Sequence, residues 1–409
     1  MNRRVVVTGM GGVTALGKDW ATIRSNMLAG QTAVRRIPEW DRFDGLNTRL
    51  AAPISGFDVS RRYDRKKLRT MGPVSRMAVY ATEQALLDAG LSGDRVLTDG
   101  RTGIAYGSSF GSHEPVLGFA ELMDKGSSSH INGTSYLQMM SHTAAINIGL
   151  FFGVTGRIIP TSSACTSGSH AIGYGAEAIR YGLQDVMIVG GADELSVAEA
   201  AVFDTLFATS TRNDAPAGTP RPFDRDRDGL VIGEGAATLV LENLDHARSR
   251  GARFHAEVVG YGTNSDGSHA TQPSPGTMAG ALHLALDDAG LPADAIGFIN
   301  AHGTATEWGD IAESQATAEV LGAQIPLHTL KAFLGHTLGA CGAIEAWLGL
   351  AMMNDGWFAP ITNLVNVDER CANLDYVIGS GRDLTVEYLM SNNFAFGGVN
   401  TSLIFKRLL

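Results

Sequence analysis

Ala85-Leu-Leu-Asp-Ala-Gly-Leu91 recurs in the second half of the chain as Ala285-Leu-Asp-Asp-Ala-Gly-Leu291. Each copy has the pattern of a helix end, because a glycine follows the last apolar turn and a strand-like run begins a few residues later. The segments before the copies also agree, since Val5-Val-Val-Thr-Gly-Met-Gly11 precedes the first and Glu257-Val-Val-Gly-Tyr-Gly-Thr263 precedes the second. The repeat predicts a duplicated α/β unit whose halves meet near residue 250.

Around this repeat, short β-rich runs alternate with helical patterns. Val186–Val189 and Thr401–Phe405 are typical of buried strands. Val74, Met77 and Ala81 recur at helical spacing. The 409 residues are 44% hydrophobic and include 50 glycines against 13 prolines, enough for more than one core and for many tight strand-to-helix turns. The sequence therefore predicts layered sheets covered by helices.

Charge, cysteine content and hydropathy exclude several classes of protein. A net charge of −10 argues against a general nucleic-acid binder. The three cysteines form no paired framework and no metal-ligand spacing, which favours a reducing compartment. The start has too few apolar residues for a secretory signal, and the apolar stretch Cys341–Met353 is much shorter than a bilayer span. We expect a soluble, cytoplasmic protein with no membrane span and no metal.

Gly9-Met-Gly-Gly-Val-Thr14 follows the first strand and is similar to part of a dinucleotide-binding fingerprint. Thr14 occupies the third glycine position of that fingerprint, and no acidic strand end follows at the usual distance. The segment therefore predicts a tight turn and no nucleotide cofactor.

Cys165 lies in Pro160-Thr-Ser-Ser-Ala-Cys-Thr-Ser-Gly-Ser-His170, between an apolar strand and a helix. Its small neighbours leave room for a substrate, and the unpaired N–H groups at the start of a helix favour a thiolate. The alternative is a structural thiol, because free cysteine is often buried as a small hydrophobe. A nucleophilic thiol needs partner groups, so the choice depends on nearby histidines.

Two histidines have suitable sequence contexts. His302 lies in Asn300-Ala-His-Gly-Thr-Ala-Thr306, directly after a strand-like run, and His336 lies between glycines, five residues after Lys331. Histidines on glycine turns at strand ends occupy the places where α/β proteins build their sites. Either one alone could be a hydrogen-bonded structural histidine. Together with Cys165 they favour a catalytic thiol.

Four motifs in this order resemble the signatures of the type I/II β-ketoacyl-acyl-carrier-protein synthases. They are Ser163-Ala-Cys-Thr-Ser-Gly168, Asn300–Thr306, Lys331…Gly335-His-Thr-Leu-Gly-Ala340 and Asn393-Phe-Ala-Phe-Gly-Gly-Val-Asn400. The resemblance covers the whole chain and implies an α/β, duplicated thiolase fold, layered α-β-α-β-α with two mixed sheets. It implies an N-terminal half at 1–250 with the nucleophile and a C-terminal half at 251–409 with the two histidines and a gating loop.

The resemblance also implies roles for the site residues. Cys165 would accept an acyl group from a carrier thioester, and its own N–H with that of Phe396 at the gate would hold the oxyanion. His302 and His336 would then donate hydrogen bonds to the enolate that forms when malonyl carrier protein loses carbon dioxide. The remaining positions are Lys331 for the electrostatics of the site, Thr304 and Thr306 for the phosphopantetheine arm, Glu313 and Glu345 for loop support, and Phe110 and Leu230 for the acyl pocket.

Arg61-Arg-Tyr-Asp-Arg-Lys-Lys-Leu-Arg69 has six basic residues in nine on an otherwise acidic protein. Such a run is usually a solvated face, but Lys66 and Arg69 match the docking positions of the family and suit an acidic carrier protein. The resemblance thus implies acyl carrier protein as partner, with its phosphopantetheine arm in place of a bound cofactor. It further implies a dimer, either a homodimer or a heterodimer with a chain-length-factor-like subunit.

Within the family, three segments resemble the ketosynthases of aryl polyene pigment clusters. They are Gly45-Leu-Asn-Thr-Arg-Leu-Ala-Ala-Pro53, Phe203-Asp-Thr-Leu-Phe-Ala-Thr209 and Ser391-Asn-Asn-Phe-Ala-Phe-Gly-Gly398. They imply aryl polyene or related polyketide biosynthesis, with housekeeping fatty-acid elongation as the alternative.

Three residues depart from the common family pattern. Ala395 replaces a glycine of the gating loop and cannot adopt positive φ as cheaply, so the gate is expected to move differently. Leu230 replaces an aromatic residue near the pocket mouth. Phe110 lies where fatty-acid enzymes carry a residue at the floor of the acyl pocket, and its ring is expected to restrict the primer to short or flat acyl chains.

Three related classes fit less well. A degradative thiolase needs a second catalytic cysteine on the last loop, but Asn392–Gly397 contains no thiol. Starter-type synthases use cysteine, histidine and asparagine, whereas both histidine-type motifs here contain histidine. A chain-length-factor subunit lacks the nucleophile, so Cys165 argues against that non-enzymatic role.

Overall fold

The structure is a computed structural model and describes residues 3–408. Its strands are β1 (Val5–Thr14), β2 (Arg35–Arg36), β3 (Leu50–Ala52), β4 (Thr102–Gly107), β5 (Ile158–Thr161), β6 (Val186–Asp193), β7 (Ile232–Gly233), β8 (Gly235–Asn243), β9 (Ala256–Ser265), β10 (Phe298–Asn300), β11 (Pro326–His328), β12 (Trp357–Phe358), β13 (Asp375–Tyr376), β14 (Arg382–Asp383), β15 (Tyr388–Ala395) and β16 (Val399–Arg407). Its helices are α1 (Trp20–Leu28), α2 (Arg65–Leu68), α3 (Pro73–Asp88), α4 (Glu114–Lys125), α5 (Ser135–Met139), α6 (Thr143–Phe152), α7 (Ser167–Arg180), α8 (Val197–Asp204), α9 (Leu244–Ser249), α10 (Pro275–Ala289), α11 (Glu307–Leu321), α12 (Lys331–Leu334) and α13 (Cys341–Asp355).

The main sheet has 11 strands in the order β13-β11-β10-β15-β16-β9-β1-β8-β6-β4-β5. At its middle, β1 and β9 pair only through Val6 with Glu257 and Val7 with Ala256, so two mixed sheets meet there edge to edge. From this junction outward, the orders β1-β8-β6-β4-β5 and β9-β16-β15-β10-β11 place equivalent strands at equivalent positions. In each half the outer three of these strands are parallel. The predicted duplicated α/β fold with mixed sheets is confirmed, while the predicted division into 1–250 and 251–409 stays a prediction.

The helices form three layers around the two sheets. Helices α7 and α13 pack between the sheets, α3 and α6 cover the outer face of the first, and α10 and α11 cover the outer face of the second. Every residue of α13 from Cys341 to Met353 is buried, which explains why that segment is apolar on all sides. Among residues 3–408, no helix is both long and apolar enough to cross a membrane.

The repeated glycines have a packing role in both halves. Gly9 lies inside β1, so the tight turn predicted for Gly9–Thr14 is wrong. A Cβ at Gly9 would lie 2.2 Å from the carbonyl oxygen of Ala85, and a Cβ at Gly260 in β9 would lie 2.4 Å from that of Ala285. Only glycine lets α3 and α10 pack this closely on their strands. The sequence repeat therefore preserves the same helix-on-strand contact twice.

The parallel strands bring the predicted site residues to one region. Cys165 follows β5, His302 follows β10, Lys331 follows β11 and Phe396 follows β15. The carboxyl ends of parallel strands meet at one edge of a sheet. Because α7 and α13 pack the two sheets together, these edges face a common space.

Candidate active site

Cys165 lies in a tight connection between β5 and α7. The residue before it, Ala164, has a φ of 52°, and α7 begins at Ser167 with Thr166 as the N-cap residue. A non-glycine residue held in this left-handed region costs about 1–3 kcal/mol, and such strain is common where a reactive group is positioned. The connection places the thiol at the start of the helix, with 4% of Cys165 exposed.

The protonation state of Cys165 differs from the sequence expectation. Burial raises the pKa of its thiol to about 11, although the backbone N–H groups of Phe396 and Cys165 and the charge of Lys331 lower it. Desolvation therefore opposes the thiolate that the helix start by itself favours. The thiol is protonated at neutral pH.

His336 points one ring nitrogen at this thiol. Its Nε2 lies 3.1 Å from Cys165 Sγ, and its Nδ1 accepts a hydrogen bond from the N–H of Leu338 at 3.2 Å. A neutral imidazole that accepts at Nδ1 carries its proton at Nε2. Burial and the charge of Lys331 hold the pKa of His336 well below its usual range. His336 is therefore neutral and directs an N–H donor toward the sulfur.

His302 has the same arrangement on the neighbouring side. Its Nδ1 lies 3.1 Å from Lys331 Nζ and 3.3 Å from Asn393 Nδ2, both of which are donors. Its Nε2 consequently carries the proton and has no hydrogen-bond partner in residues 3–408. Burial, then the charges of Lys331 and His336, hold the pKa of His302 well below its usual range. The two rings are nearly perpendicular, at 86°, with centroids 5.1 Å apart.

A buried ion pair supports the two histidines. Lys331 Nζ contacts Glu345 Oε1 at 2.5 Å, and the other carboxylate oxygen of Glu345 accepts from Asn393 Nδ2 at 2.6 Å. The charge of Glu345 raises the pKa of Lys331 against the opposing effect of burial, which keeps the ammonium group charged. A positive charge beside two imidazoles disfavours their protonation. The pair thus fixes both the position and the neutral form of His302.

Glu313 holds the turn that carries His302. Its two carboxylate oxygens accept the N–H groups of His302 and Gly303, each at 2.7 Å, and burial raises its pKa to about 8. Thr304 and Thr306 follow on the same turn, with their hydroxyl oxygens 2.8 Å apart. The structure therefore places these predicted residues beside His302.

A cavity of about 660 Å³ opens onto the thiol and both histidines. Thr304, Thr306, Glu313, Leu230 and Phe396 also line it. Its size and mixed lining are typical of small-molecule sites. The cavity is large enough for a thioester and the arm that carries it.

Phe110 does not line this cavity. It is 41% exposed, and its ring stacks on His113 at a centroid distance of 4.5 Å. The loop that carries Phe110 nevertheless contacts the connection between β5 and α7 that carries Cys165, because Ser162 Oγ donates to the carbonyl oxygen of Ser109 at 3.5 Å. The predicted acyl-pocket residue therefore lies outside the main cavity, on a loop that contacts the β5–α7 connection.

Ala395 has an extended backbone at the end of β15, and the positive φ angles of the following turn belong to Gly397 and Gly398. The replacement of glycine at this position therefore requires no strained conformation here.

Two residues of the site received no role from the sequence. Asn393 joins His302 Nδ1 to Glu345, and Cys341 Sγ lies 3.2 Å from the carbonyl oxygen of Cys165. Asn393 is the first residue of the gating-loop motif, a position that could have indicated it. Cys341 is a small buried side chain in an apolar run, and nothing in its sequence context points to this contact.

The ligand atoms of Cys165, His302 and His336 lie within 4.8 Å of one another. Thiolate and imidazole are ligand types that suit a metal such as zinc. The absence of a functional metal stays a prediction.

The basic segment 61–69 does not line the cavity. Lys66 is on the short helix α2, where the side chain of Asp64 caps the N-terminus by accepting from the N–H of Lys66 at 2.7 Å. Lys66 and Arg69 are exposed and form no ion pair within the described part of the chain. Their charges are therefore available to a partner.

Comparison with known proteins identifies the family. Residues 2–247 match the beta-ketoacyl synthase N-terminal domain, and residues 255–365 match the C-terminal domain. The chain is 39% identical over 415 positions to a 3-oxoacyl-[acyl-carrier-protein] synthase 2 of Vibrio cholerae, covering 99% of both chains.

Two solved structures are also similar to the chain. A beta-ketoacyl synthase from Burkholderia phymatum is 59% identical with a TM-score of 0.98, and the ishigamide ketosynthase/chain length factor is 32% identical with a TM-score of 0.92. Both alignments cover 100% of each chain. The chain therefore belongs to the beta-ketoacyl synthase family and is an acyltransferase of the 3-oxoacyl-[acyl-carrier-protein] synthase class.

Proposed function

We propose that this ketosynthase condenses an acyl group held on Cys165 with malonyl carrier protein, in the biosynthesis of an aryl polyene or a related polyketide. The observation that carries the reaction is the convergence of the protonated Nε2 atoms of His302 and His336 on the side of Cys165. Both Nδ1 atoms accept hydrogen bonds, so each ring carries its proton at Nε2. The Nε2–H of His302 has no partner within residues 3–408, and that of His336 faces Cys165 Sγ, where a substrate oxygen can replace the sulfur as acceptor.

In the first step, the Cys165 sulfur attacks the carbonyl carbon of the acyl thioester. The N–H groups of Cys165 and Phe396 stabilise the negative oxygen of the tetrahedral intermediate. The carbon–sulfur bond to phosphopantetheine then breaks, and the proton of the Cys165 thiol ends on the departing phosphopantetheine thiol. In the free protein these two N–H groups lower the pKa of the Cys165 thiol, as expected for donors directed at the sulfur.

In the second step, the thioester oxygen of malonyl carrier protein accepts hydrogen bonds from His302 and His336. Loss of carbon dioxide places negative charge on this oxygen, and each donor contributes about 2.7–4 kcal/mol to the transition state. The resulting carbanion attacks the carbonyl carbon of acyl-Cys165, and the carbon–sulfur bond to Cys165 breaks. The phosphopantetheine arm of the carrier is the only cofactor proposed, with Thr304 and Thr306 as its hydrogen-bond partners.

The role of Lys331 predicts a change in pH dependence. The double variant Lys331→Met/Glu345→Gln removes both buried charges, because Lys331→Met alone would leave the Glu345 carboxylate unpaired at a cost of about 3–5 kcal/mol. Without the neighbouring cation the pKa of His302 rises, so the acidic limb of malonyl decarboxylation moves to higher pH. In wild type, the acidic limb of the rate–pH profile is expected at a pH below about 6.5, the ordinary pKa of histidine. Rate–pH profiles of both proteins check this, and coincident profiles would contradict the proposed role.

The basic residues of α2 and its flank predict the effect of charge reversal on carrier binding. Lys66→Glu/Arg69→Glu is expected to raise KM for acyl carrier protein about tenfold, because exposed charges act mainly on encounter with an acidic partner. The kcat value and the rate with a free pantetheine thioester should not change. The matched control is Arg248→Glu, an exposed arginine on α9. An equal rise in KM for this control would assign the effect to net charge.

The aryl polyene pathway is supported by the three segment resemblances, one of which includes Phe203 of the cavity wall. A family synthase that is paired with a chain length factor also aligns over the full chain. The second candidate is housekeeping fatty-acid elongation, which the name of the Vibrio cholerae relative favours.

Primer preference separates the two pathways. Wild type is expected to load flat, conjugated acyl groups from carrier protein faster than saturated groups of eight or more carbons. Phe110→Gly is expected to raise loading of the saturated groups about tenfold, because removal of the ring opens space on the loop that contacts the β5–α7 connection of Cys165. Intact-protein mass spectrometry measures the adduct on Cys165. Equal loading of long saturated groups by wild type and Phe110→Gly would favour the fatty-acid pathway.

A second subunit is part of this proposal. Strand β5 is the last strand of the main sheet, and within residues 3–408 its outer edge has no partner. Leu150 of α6, the helix that packs on β5, is 65% exposed, and Leu117 and Met123 of α4 are 72% and 86% exposed. A free sheet edge beside exposed apolar side chains favours association with a second chain. That chain is a second copy or a chain-length-factor-like subunit.

A further inference from the structure

Arg227 is a buried arginine beside the cavity, and the reaction steps described above do not use it. Its side chain is only 2% exposed, although it forms part of the wall of the cavity that contains Cys165. Arginine side chains are almost never buried unless they are paired, because removing a charge from water is costly. The partners of Arg227 therefore indicate what this side chain holds in place.

Two of these partners belong to the turn between β10 and α11. We refer to residues 303–307 as the threonine turn, because Thr304 and Thr306 are its hydroxyl side chains. Arg227 Nε donates to the carbonyl oxygen of Thr306 at 3.2 Å, and Arg227 Nη2 donates to the carbonyl oxygen of Glu307 at 2.8 Å. Arg227 thus holds the second end of the threonine turn through two backbone oxygens.

The threonine turn has a strained backbone that needs support from outside the turn. Ala305 has a φ of 64°, a left-handed conformation that costs a residue other than glycine about 1–3 kcal/mol. Asp310 Oδ1 accepts the N–H of Ala305 at 3.1 Å, and Asp310 Oδ2 lies 3.6 Å from Arg227 Nε. Burial raises the pKa of Asp310 to about 6 against the opposing charge of Arg227, so the carboxylate is mostly charged at neutral pH. Arg227 therefore supports the turn directly and through Asp310.

The remaining contacts of Arg227 fix the orientation of its guanidinium group. Arg227 Nη1 donates to the carbonyl oxygen of Asp224 at 2.9 Å and to Asp368 Oδ2 at 2.6 Å. Because the guanidinium group is planar and rigid, these bonds also direct Nε and Nη2 at the carbonyl oxygens of the threonine turn. A lysine would keep the positive charge but could not present donors in this fixed fork.

The two ends of the threonine turn are held by different side chains. Glu313 accepts the N–H groups of His302 and Gly303 at the first end. Arg227 and Asp310 hold the second end. A change at Arg227 should therefore displace the two threonine hydroxyl groups more than the ring of His302.

We propose that Arg227 is a positioning residue for the phosphopantetheine arm, which it directs toward Cys165 by fixing the backbone of the threonine turn. The hydroxyl oxygens of Thr304 and Thr306 lie 2.8 Å apart, and both residues line the cavity. Hydroxyl groups held at this spacing can donate to and accept from the amide groups of the arm. This inference rests on the proposed acyl transfer and on the proposed role of the two threonines.

The test compares acylation of Cys165 by two thioesters of the but-2-enoyl group. The pantetheine thioester has amide groups for the threonines to bind, whereas the ethyl thioester has none. Arg227→Lys is expected to lower kcat/KM for the pantetheine thioester about tenfold, mainly through KM, which is the usual effect of losing one or two hydrogen bonds. The value for the ethyl thioester should change by less than about twofold. Intact-protein mass spectrometry measures both rates.

A double-mutant cycle shows whether Arg227 acts through the threonines. In a Thr304→Val/Thr306→Val background the preference for the pantetheine thioester should already be lost, so Arg227→Lys should have no further effect on it. A merely structural role would lower both rates in both backgrounds. The matched control is Arg250→Lys, because Arg250 also pairs with a buried carboxylate, that of Glu242, but does not line the cavity. This control should lose only stability.

The outcomes separate this inference from the proposed function. The inference is overturned if Arg227→Lys keeps the full preference for the pantetheine thioester, or if its effect is as large without the threonine hydroxyl groups as with them. Acyl transfer to Cys165 would stand in either case. If no acyl group loads onto wild-type Cys165, the proposed function itself fails. If Arg227→Lys does not fold, loss of the preference in Arg227→Gln supports the inference, and its persistence there overturns it.

Discussion

Cys165→Ala is expected to abolish acyl loading and to lower condensation by about 10⁴-fold or more, because loss of a catalytic nucleophile removes the covalent route. Malonyl decarboxylation should remain within about tenfold of wild type, since His302 and His336 keep their N–H donors. Intact-protein mass spectrometry measures the adduct, and release of carbon dioxide measures decarboxylation. The two measurements therefore separate acyl loading, which needs the Cys165 sulfur, from malonyl decarboxylation, which does not.

The matched control is Cys371→Ala, a buried thiol in the core cluster of α10 and α11. It is expected to load acyl groups at the wild-type rate and to lose only stability. Acyl loading by Cys165→Ala at another residue, with condensation preserved, would contradict the assignment. Thermal unfolding of each variant shows whether a lost activity reflects a lost fold.

His302→Ala is expected to reduce malonyl decarboxylation by about 10²–10³-fold, which is the usual effect of removing one donor to a developing oxyanion. Acyl transfer to Cys165 should change much less, because the N–H groups of Cys165 and Phe396 do not depend on this ring. His302→Asn should recover part of the rate, since its amide can donate a hydrogen bond from a similar position. Single-turnover measurements of the two half-reactions separate these effects.

His328→Ala is the matched control for burial. This histidine is also fully buried, and its Nδ1 contacts the carbonyl oxygen of Ala359 at 2.8 Å, away from the cavity. Its loss should lower stability and leave decarboxylation near the wild-type rate. A fall in decarboxylation equal to that of His302→Ala would show that packing, and not hydrogen-bond donation, explains both variants.

Much of the fold follows from local patterns. The repeat around Ala85 and Ala285 predicted the duplication because helix ends with a following glycine are encoded within a few residues. The same patterns failed at Gly9, whose place inside β1 depends on how closely α3 packs on that strand. Local sequence does not distinguish a glycine that turns the chain from one that admits a helix.

The candidate site likewise has features that local sequence predicts and features that depend on long-range packing. The motifs around Cys165, His302 and His336 identified the reactive groups, because a strand, a glycine turn and a helix start are short-range features. The motif around Cys165 did not indicate how strongly burial raises the pKa of its thiol, because burial depends on the packing of distant residues. The position of Phe110 outside the main cavity likewise depends on long-range packing.

Short motifs were enough to indicate the family, the α/β duplication and the identity of the thiol and the two histidines. Long-range packing sets the hydrogen bonds that Nδ1 of His302 accepts from Lys331 and Asn393 and that Nδ1 of His336 accepts from Leu338, and these bonds leave the proton of each ring at Nε2. The physical reason is that conformation along the chain is set by neighbouring residues. Protonation, tautomer and hydrogen-bond pairing are set by groups that α7 and α13 bring together from distant parts of the chain.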